Sequence, residues 1–133
     1  GSEMCIRDRL GMVNILTSKD SFKFRIVELI LLAMLKNEDK YGYQISQEVS
    51  DLSNGYLCLK EGSMYPVLYK LMEKGYIKSR TEKIGEKRTR VYYHLEDSGR
   101  EYLKETKSNY INNVKIICKI AEISKDELFS SET

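Results

Sequence analysis

Ser63, Tyr65, Tyr69 and Lys70 place a hydroxyl, two phenols and an ammonium within two helical turns. Such groups donate hydrogen bonds and carry charge; their chemistry is contact with a polar, anionic surface rather than bond-making. They sit in the stretch 60–76, KEGSMYPVLYKLMEKGY, where Met64, Val67, Leu68, Leu71 and Met72 recur at helical spacing and must bury one face. Ser63, Pro66, Tyr69, Lys70 and Glu73 occupy the opposite face, with Tyr65 on its flank. Gly75 stops the helix where a left-handed residue is cheap.

Two strand-like runs follow, 77–83 and 89–95, joined by Ile84-Gly85-Glu86-Lys87-Arg88. Val91, Tyr93 and Leu95 alternate with Arg90, Tyr92 and His94, which points the first set inward. From Lys78 to Arg90 six cations (Lys78, Arg80, Lys83, Lys87, Arg88, Arg90) face two carboxylates, Glu82 and Glu86. Helix, stop and basic-tipped hairpin together predict a winged helix-turn-helix: a mainly α fold with a small β-hairpin wing (α+β), followed by a long C-terminal dimerisation helix. In that arrangement Tyr69 and Lys70 reach base edges or phosphates, Ser63 and Tyr65 hold phosphates, and Lys87, Arg88 and Arg90 contact DNA from the wing. Lys60 and Pro66 complete the candidate set. Tyr65 has a competing role packed against the wing. Pro66 costs nothing in a helix that starts at Ser63 and kinks one that starts near Glu61; both starts fit the sequence.

The elements that must position this helix are legible upstream. Tyr41, Ile45, Val49 and Leu52 share one face of a helix over 41–52. Tyr41 is assigned to packing and Tyr43, in the first turn, to phosphate contact. Ser53-Asn54-Gly55 is a turn, and 56–59 is expected to pair with the wing. Thr17-Ser18-Lys19-Asp20-Ser21 offers N-caps for an apolar helix over 22–36, in which Ile26, Ile30, Ala33 and Met34 form one stripe. Burial against a second copy and a central core position both explain it. Downstream, Ser98-Gly99-Arg100-Glu101 fits a capping box for a helix of about 25 residues. Its stripe of Leu103, Tyr110, Val114, Ile117 and Ala121, widened by Ile111, Ile116 and Ile120, calls for a partner copy or for folding back on the first helix.

Four strings in register resemble the PadR-like transcriptional regulators. Tyr41-Gly42-Tyr43-Gln44-Ile45 is similar to that family's YGYEI, and Lys60-Glu61-Gly62-Ser63-Met64-Tyr65-Pro66-Val67-Leu68 to its KEGTLYPAL. Leu71-x-x-Lys74-Gly75-Tyr76-Ile77 resembles L-x-x-KGLI, and Lys87-Arg88-Thr89-Arg90-Val91-Tyr92-Tyr93-His94-Leu95 resembles RRRKYYRLT. Ser63, Glu86, Thr89 and Glu96 depart from the pattern, and Glu86 and Thr89 fall on the wing. The resemblance spans residues 24–120. It implies a homodimeric DNA-binding regulator, most often a repressor of a pseudo-palindromic operator, dimerising through Ile26, Ile30, Leu103, Tyr110, Val114, Ile117 and Ala121. It also implies a flat aromatic effector at the dimer interface, near Tyr110 and Val114. A winged-helix protein–protein adaptor that has lost DNA binding is the alternative.

Length and composition bound the rest. The 133 residues make one domain with an appended helix, and 22 Lys and Arg against 20 Asp and Glu leave only +2. Residues 1–16 are expected to be a non-native or flexible extension, 17–95 the winged domain, and 96–133 the dimerisation helix and tail. Residues 1–9 resemble the translation of a sequencing-library transposon end and are set apart from the fold, with Met12 as the expected start. Cys5, Cys58 and Cys118 are odd in number and widely spaced, which predicts a reducing, cytoplasmic setting; Cys118 beside the stripe is also a candidate redox sensor. The apolar run 26–35 is interrupted by Glu28 and too short for a bilayer. With one histidine, no Gly-rich phosphate loop, and carboxylate pairs (Glu101/Glu105, Asp126/Glu127) only on solvated faces, no enzyme, cofactor or metal is expected.

Overall fold

In the computed structural model residues 19–130 are described, with side chains from Lys23 onward. They form α1 (Lys19–Met34), β1 (Lys40–Tyr41), α2 (Gly42–Leu52), α3 (Glu61–Glu73), β2 (Ile77–Ile84), β3 (Arg88–Leu95), α4 (Asp97–Ala121) and α5 (Lys125–Leu128). The expectations for residues 1–18, the proposed extension and the caps Thr17 and Ser18 included, lie outside these residues.

α1 is the hub because it is apolar on more than one side. Val27, Leu31, Leu32 and Leu35 are buried with Ile45 and Val49 of α2, Met64, Val67, Leu68 and Leu71 of α3, and Ile77, Tyr93 and Leu95 of the sheet. Ile26 and Ile30 are half-buried, Ile30 packing against the edge of this core. The core reading of α1 therefore holds for most of its surface. Leu52, assigned by spacing to the inner face of α2, is 77% exposed, because α2 ends there and nothing packs over its last turn.

α3 starts at Glu61, so Pro66 lies inside the helix. The carbonyl that its missing N–H leaves unbonded four residues back is that of Gly62, which carries no side chain. The end is set by Gly75 at φ 80°: its N–H bonds to Met72 O and that of Tyr76 to Leu71 O, a Schellman stop. The stop turns the chain directly into β2, so the exit of α3 and the root of the wing are one bend.

β2 and β3 pair antiparallel from Ile77↔Leu95 to Ile84↔Arg88, one residue longer at the tip than the sequence suggested. Gly85, at φ 72°, opens the turn. The third strand is not the expected 56–59 segment. β1 takes that place, pairing Lys40↔Tyr93 and Tyr41↔Tyr92, and the sheet runs β1-β3-β2. In the 56–59 segment only Leu59 is buried, its carbonyl accepting from Ser46 Oγ at 2.9 Å. Tyr93 and Leu95 face inward as expected, whereas Val91 is 41% exposed because the hairpin projects beyond the helices at that point.

The capping box at Ser98 and Glu101 does not form. Glu96 is the N-cap of α4, and Ser98 Oγ instead donates to Gly75 O at 2.8 Å, tying α4 to the end of α3. A box does form at α5, between Ser124 and Glu127. Leu103 is buried in the core, so it is not available to the dimer contact expected of it; the remaining apolar residues of the stripe, from Tyr110 onward, are mostly exposed. α4 thus folds back on α1 over its first turns and leaves the body after them.

Candidate nucleic-acid interface

α3 presents the groups that its spacing implied. Tyr69 is 60% exposed, Lys70 and Pro66 are exposed, and Ser63 is half-buried. Tyr65 is half-buried because its ring leans over the first turn of α2: a β-carbon on Gly42 would stand 2.4 Å from its hydroxyl. Gly42 was not singled out from the sequence as a packing residue, and only the three-dimensional approach of Tyr65 reveals that role. The Tyr65 and Tyr69 rings lie 6.3 Å apart. Burial, then Glu61 and Tyr69, raise the Tyr65 phenol above its ordinary pKa. Beneath them burial, then the Tyr65 and Tyr69 phenols, push Tyr93 up to about 12. Tyr65 is therefore a neutral hydrogen-bond donor at physiological pH.

Tyr43, Lys60 and Tyr65 meet around one crevice of about 410 Å3 between α2 and α3, also lined by Ser46 and Gln47. Tyr43 is 66% exposed and its hydroxyl accepts from Gln47 Nε2 at 3.2 Å, while Tyr41 packs as expected, edge-on to Tyr92. Lys60, Ser63, Tyr65, Pro66, Tyr69 and Lys70 thus share α3 and its N-cap, with Tyr43 across the crevice. The wing supplies Lys87 and Arg88 at its turn. Arg90 is not a tip residue. It sits in β3 with Cζ 4.2 Å from the centroid of the Tyr41 ring, on the outer face of the sheet.

The basic patch read from the hairpin divides in two. At its root Lys78 pairs with Glu96 at 3.3 Å, and Arg80 pairs with Asp39 and, at 2.8 Å, with Glu82. Among the described residues, Lys83, Lys87 and Arg88 near the tip, Lys60 at the N-cap of α3 and Lys70 on α3 form no ion pair, so their charge is uncompensated. Pairing at the root and its absence at the tip concentrate the positive field of the hairpin at its tip.

Asp39 is the residue the sequence reading missed. It lies in the polar segment 37–40, which carries no periodic signal, yet it accepts from His94 Nδ1 at 2.7 Å and from Arg80, bracing the loop before β1 against the wing. His94, a half-exposed strand residue, thus has two carboxylate partners, Asp39 and, at 3.6 Å, Glu96. Its neighbour Lys40 is buried and held by Glu48 at 2.5 Å. Burial pushes the Asp39 carboxyl up, but the hydrogen bonds and charges of His94 and Arg80 outweigh it and hold the carboxyl below its usual range. A depressed pKa contributes stability that is present above the unfolded value and lost as pH falls through the folded one. Urea denaturation at successive pH values below about 5 is expected to show a shallower acid loss for Asp39→Asn than for the wild type; superimposable acid limbs would remove Asp39 from the bracing role.

Comparison with known proteins agrees with this geometry. Residues 31–105 match the transcriptional regulator PadR-like family. A protein of Lysinibacillus sphaericus of uncharacterised role is 31% identical, over 68% of this chain and 84% of its own. A transcriptional regulator from Clostridium thermocellum superposes with a TM-score of 0.67 at 30% identity, covering 71% of this chain and 92% of that one. The negative transcriptional regulator PadR of Bacillus subtilis is 30% identical over 61% of this chain but only 44% of its own length. Its structure in complex with operator DNA superposes with a TM-score of 0.56 at 29% identity, covering 60% of this chain and 45% of that one. The motifs in register, the helix-turn-helix with its wing, and a family match over more than half of the chain agree: this protein belongs to the PadR-like family of transcriptional regulators.

Proposed function

We propose that the protein is a homodimeric, sequence-specific DNA-binding repressor of a pseudo-palindromic operator, acting in the cytoplasm and relieved by a small aromatic effector or a stress signal. In this reading residues 17–95 hold the DNA and 96–133 join two copies. Tyr69 and Lys70 read base edges; Tyr43, Lys60, Ser63, Tyr65 and Pro66 follow the backbone; Lys87 and Arg88 neutralise phosphates from the wing, and Arg90 supports them from the sheet. The observation that carries this reading is an exposed polar flank on α3 followed directly by a wing whose tip cations have no ion-pair partner among the described residues. Operator DNA bound by the B. subtilis relative supports it. Two-fold symmetry would set half-sites about 34 Å apart. Ile26, Ile30, Val114, Ile117 and Ala121 join the copies, and Tyr110 with Val114 offers an aromatic and a branched wall for a flat effector. No helix of the described residues is long and apolar enough to cross a membrane.

Fluorescence anisotropy with the native upstream duplex and a scrambled one, titrated across salt, tests this. Tight binding that prefers the native duplex and weakens steeply with salt is expected. Arg88→Ala should weaken both duplexes alike and flatten the salt slope by about one unit. An undiminished slope would take the wing tip off the phosphates. No binding to either duplex at low salt would overturn the reading in favour of a protein–protein adaptor.

A further inference from the structure

The first two turns of α4 are fastened to two other elements by directional contacts. Glu96 N–H and Ser98 Oγ bond the carbonyls of Tyr76 and Gly75, at the exit of α3. Tyr102 then stacks flat on Tyr76, centroids 4.2 Å apart and 9° from parallel. Its hydroxyl donates to Glu28 Oε1 at 2.8 Å, and Glu28 is a buried carboxylate within the apolar stretch 26–34 of α1. Burial, then Glu28, push the Tyr102 phenol up to about 12, so this proton stays in place across the physiological range.

A buried carboxylate is an expensive way to fill space, and a leucine would serve the packing better. What the carboxylate adds is direction. Apolar side chains let helices slide and tilt past one another, whereas a hydroxyl–carboxylate bond and a flat ring stack each fix an angle. Beyond Leu103 no comparable contact among the described residues holds α4; Ile120 is 76% exposed. At a rise of ~1.5 Å per residue the end of α4 lies about 28 Å from Tyr102, so a tilt of about 5° at this point displaces it by about 2.5 Å.

We infer that Tyr102, stacked on Tyr76 and bonded to Glu28, is a positioning joint that sets the angle between the DNA-binding unit and the outer half of α4, and with it the separation of the two reading helices. This rests on the homodimer proposed above. The joint bears on both ends of the system: Tyr76 adjoins the stop of α3, and α4 carries the exposed apolar stripe. A change of subunit angle reaches the DNA face through it.

Cys58 is exposed in the loop that leads into α3 and serves as a native label site, one per subunit. In full-length protein carrying Cys5→Ser and Cys118→Ser, a nitroxide on Cys58 reports the distance between the two DNA-binding units by pulsed dipolar spectroscopy. The parent is expected to give one narrow distance. Tyr102→Ala should shift or broaden it by several ångström. Tyr102→Phe, which keeps the stack and guards against a variant that fails to fold, should broaden it less. Glu28→Gln keeps an acceptor for the Tyr102 hydroxyl and should retain the narrow distance, whereas Glu28→Leu, which fills the space without an acceptor, should broaden it. A distribution unchanged in both Tyr102 variants would overturn the joint while leaving the dimer standing. Absence of dipolar coupling in the parent would overturn the dimer, and the joint with it.

Discussion

Gly99→Ala is expected to lower the unfolding free energy by about 3 kcal/mol, or to leave the protein unable to fold, although it adds one methyl group. A β-carbon there would stand 2.1 Å from the Tyr76 carbonyl oxygen and 2.6 Å from Leu95 Cδ1. Neither neighbour can give way cheaply. The carbonyl belongs to the bend that closes α3 and already accepts the Glu96 N–H at 3.0 Å, and Leu95 is buried in the core. To admit the methyl group, α4 must lift off the bend, which breaks the hydrogen bonds at Tyr76 and Gly75 and opens a gap beside Leu95. Gly62→Ala is the matched control. It adds the same methyl within α3, meets nothing within 4 Å, and should be neutral or stabilise by up to about 0.5 kcal/mol through helix propensity. Chemical denaturation followed by circular dichroism reads both. Equal stability of Gly99→Ala and wild type would mean that α4 does not seat on the end of α3 as described.

Neither the seat of α4 nor the third strand could be read from the sequence, and for a common reason. Periodicity reports which face of an element is buried, not which distant element covers it. The face of α3 carrying Met64, Val67, Leu68 and Leu71, the inward Tyr93 and Leu95, and the stop at Gly75 are all local signals, and each is where its spacing placed it. β1 is two residues long and begins with a buried lysine, so it offers no alternation to detect and carries a misleading charge. Its identity depends on Tyr92 and Tyr93, about fifty residues later. Ser98 had two uses open to it, a cap for its own helix or a bond to Gly75, and local sequence favours the first while the packing of α4 on the bend selects the second. Charge behaves in the same way. Lys78, Arg80, Lys83, Lys87 and Arg88 look alike in a string, but only the structure separates those that Asp39, Glu82 and Glu96 neutralise from those that project. Leu103 shows the same limit: it continues the stripe of α4 in sequence and is diverted into the core in space.

That separation of charges sharpens the second large effect. Tyr69→Ala and Lys70→Ala are each expected to reduce the preference for operator over scrambled DNA by roughly 5- to 150-fold, the equivalent of losing ~1–3 kcal/mol of base readout. Their effect on the scrambled duplex should be slight for Tyr69→Ala and about one salt-slope unit for Lys70→Ala, whose ammonium carries charge as well as direction. Folding does not confound the comparison at Tyr69, since the side chain is 60% exposed and its truncation should alter stability by less than about 0.5 kcal/mol. Tyr69→Phe separates the hydroxyl from the ring. If the phenol reads a base edge, the loss appears already in Tyr69→Phe; if the ring only supports Tyr65, 6.3 Å away, it appears only in Tyr69→Ala. Arg88→Ala provides the opposite signature, weaker binding to every duplex with the preference intact, because a phosphate contact carries no sequence information. Unchanged discrimination in both Tyr69→Ala and Lys70→Ala would move base readout off the outer flank of α3 and onto the crevice where Tyr43, Lys60 and Tyr65 meet.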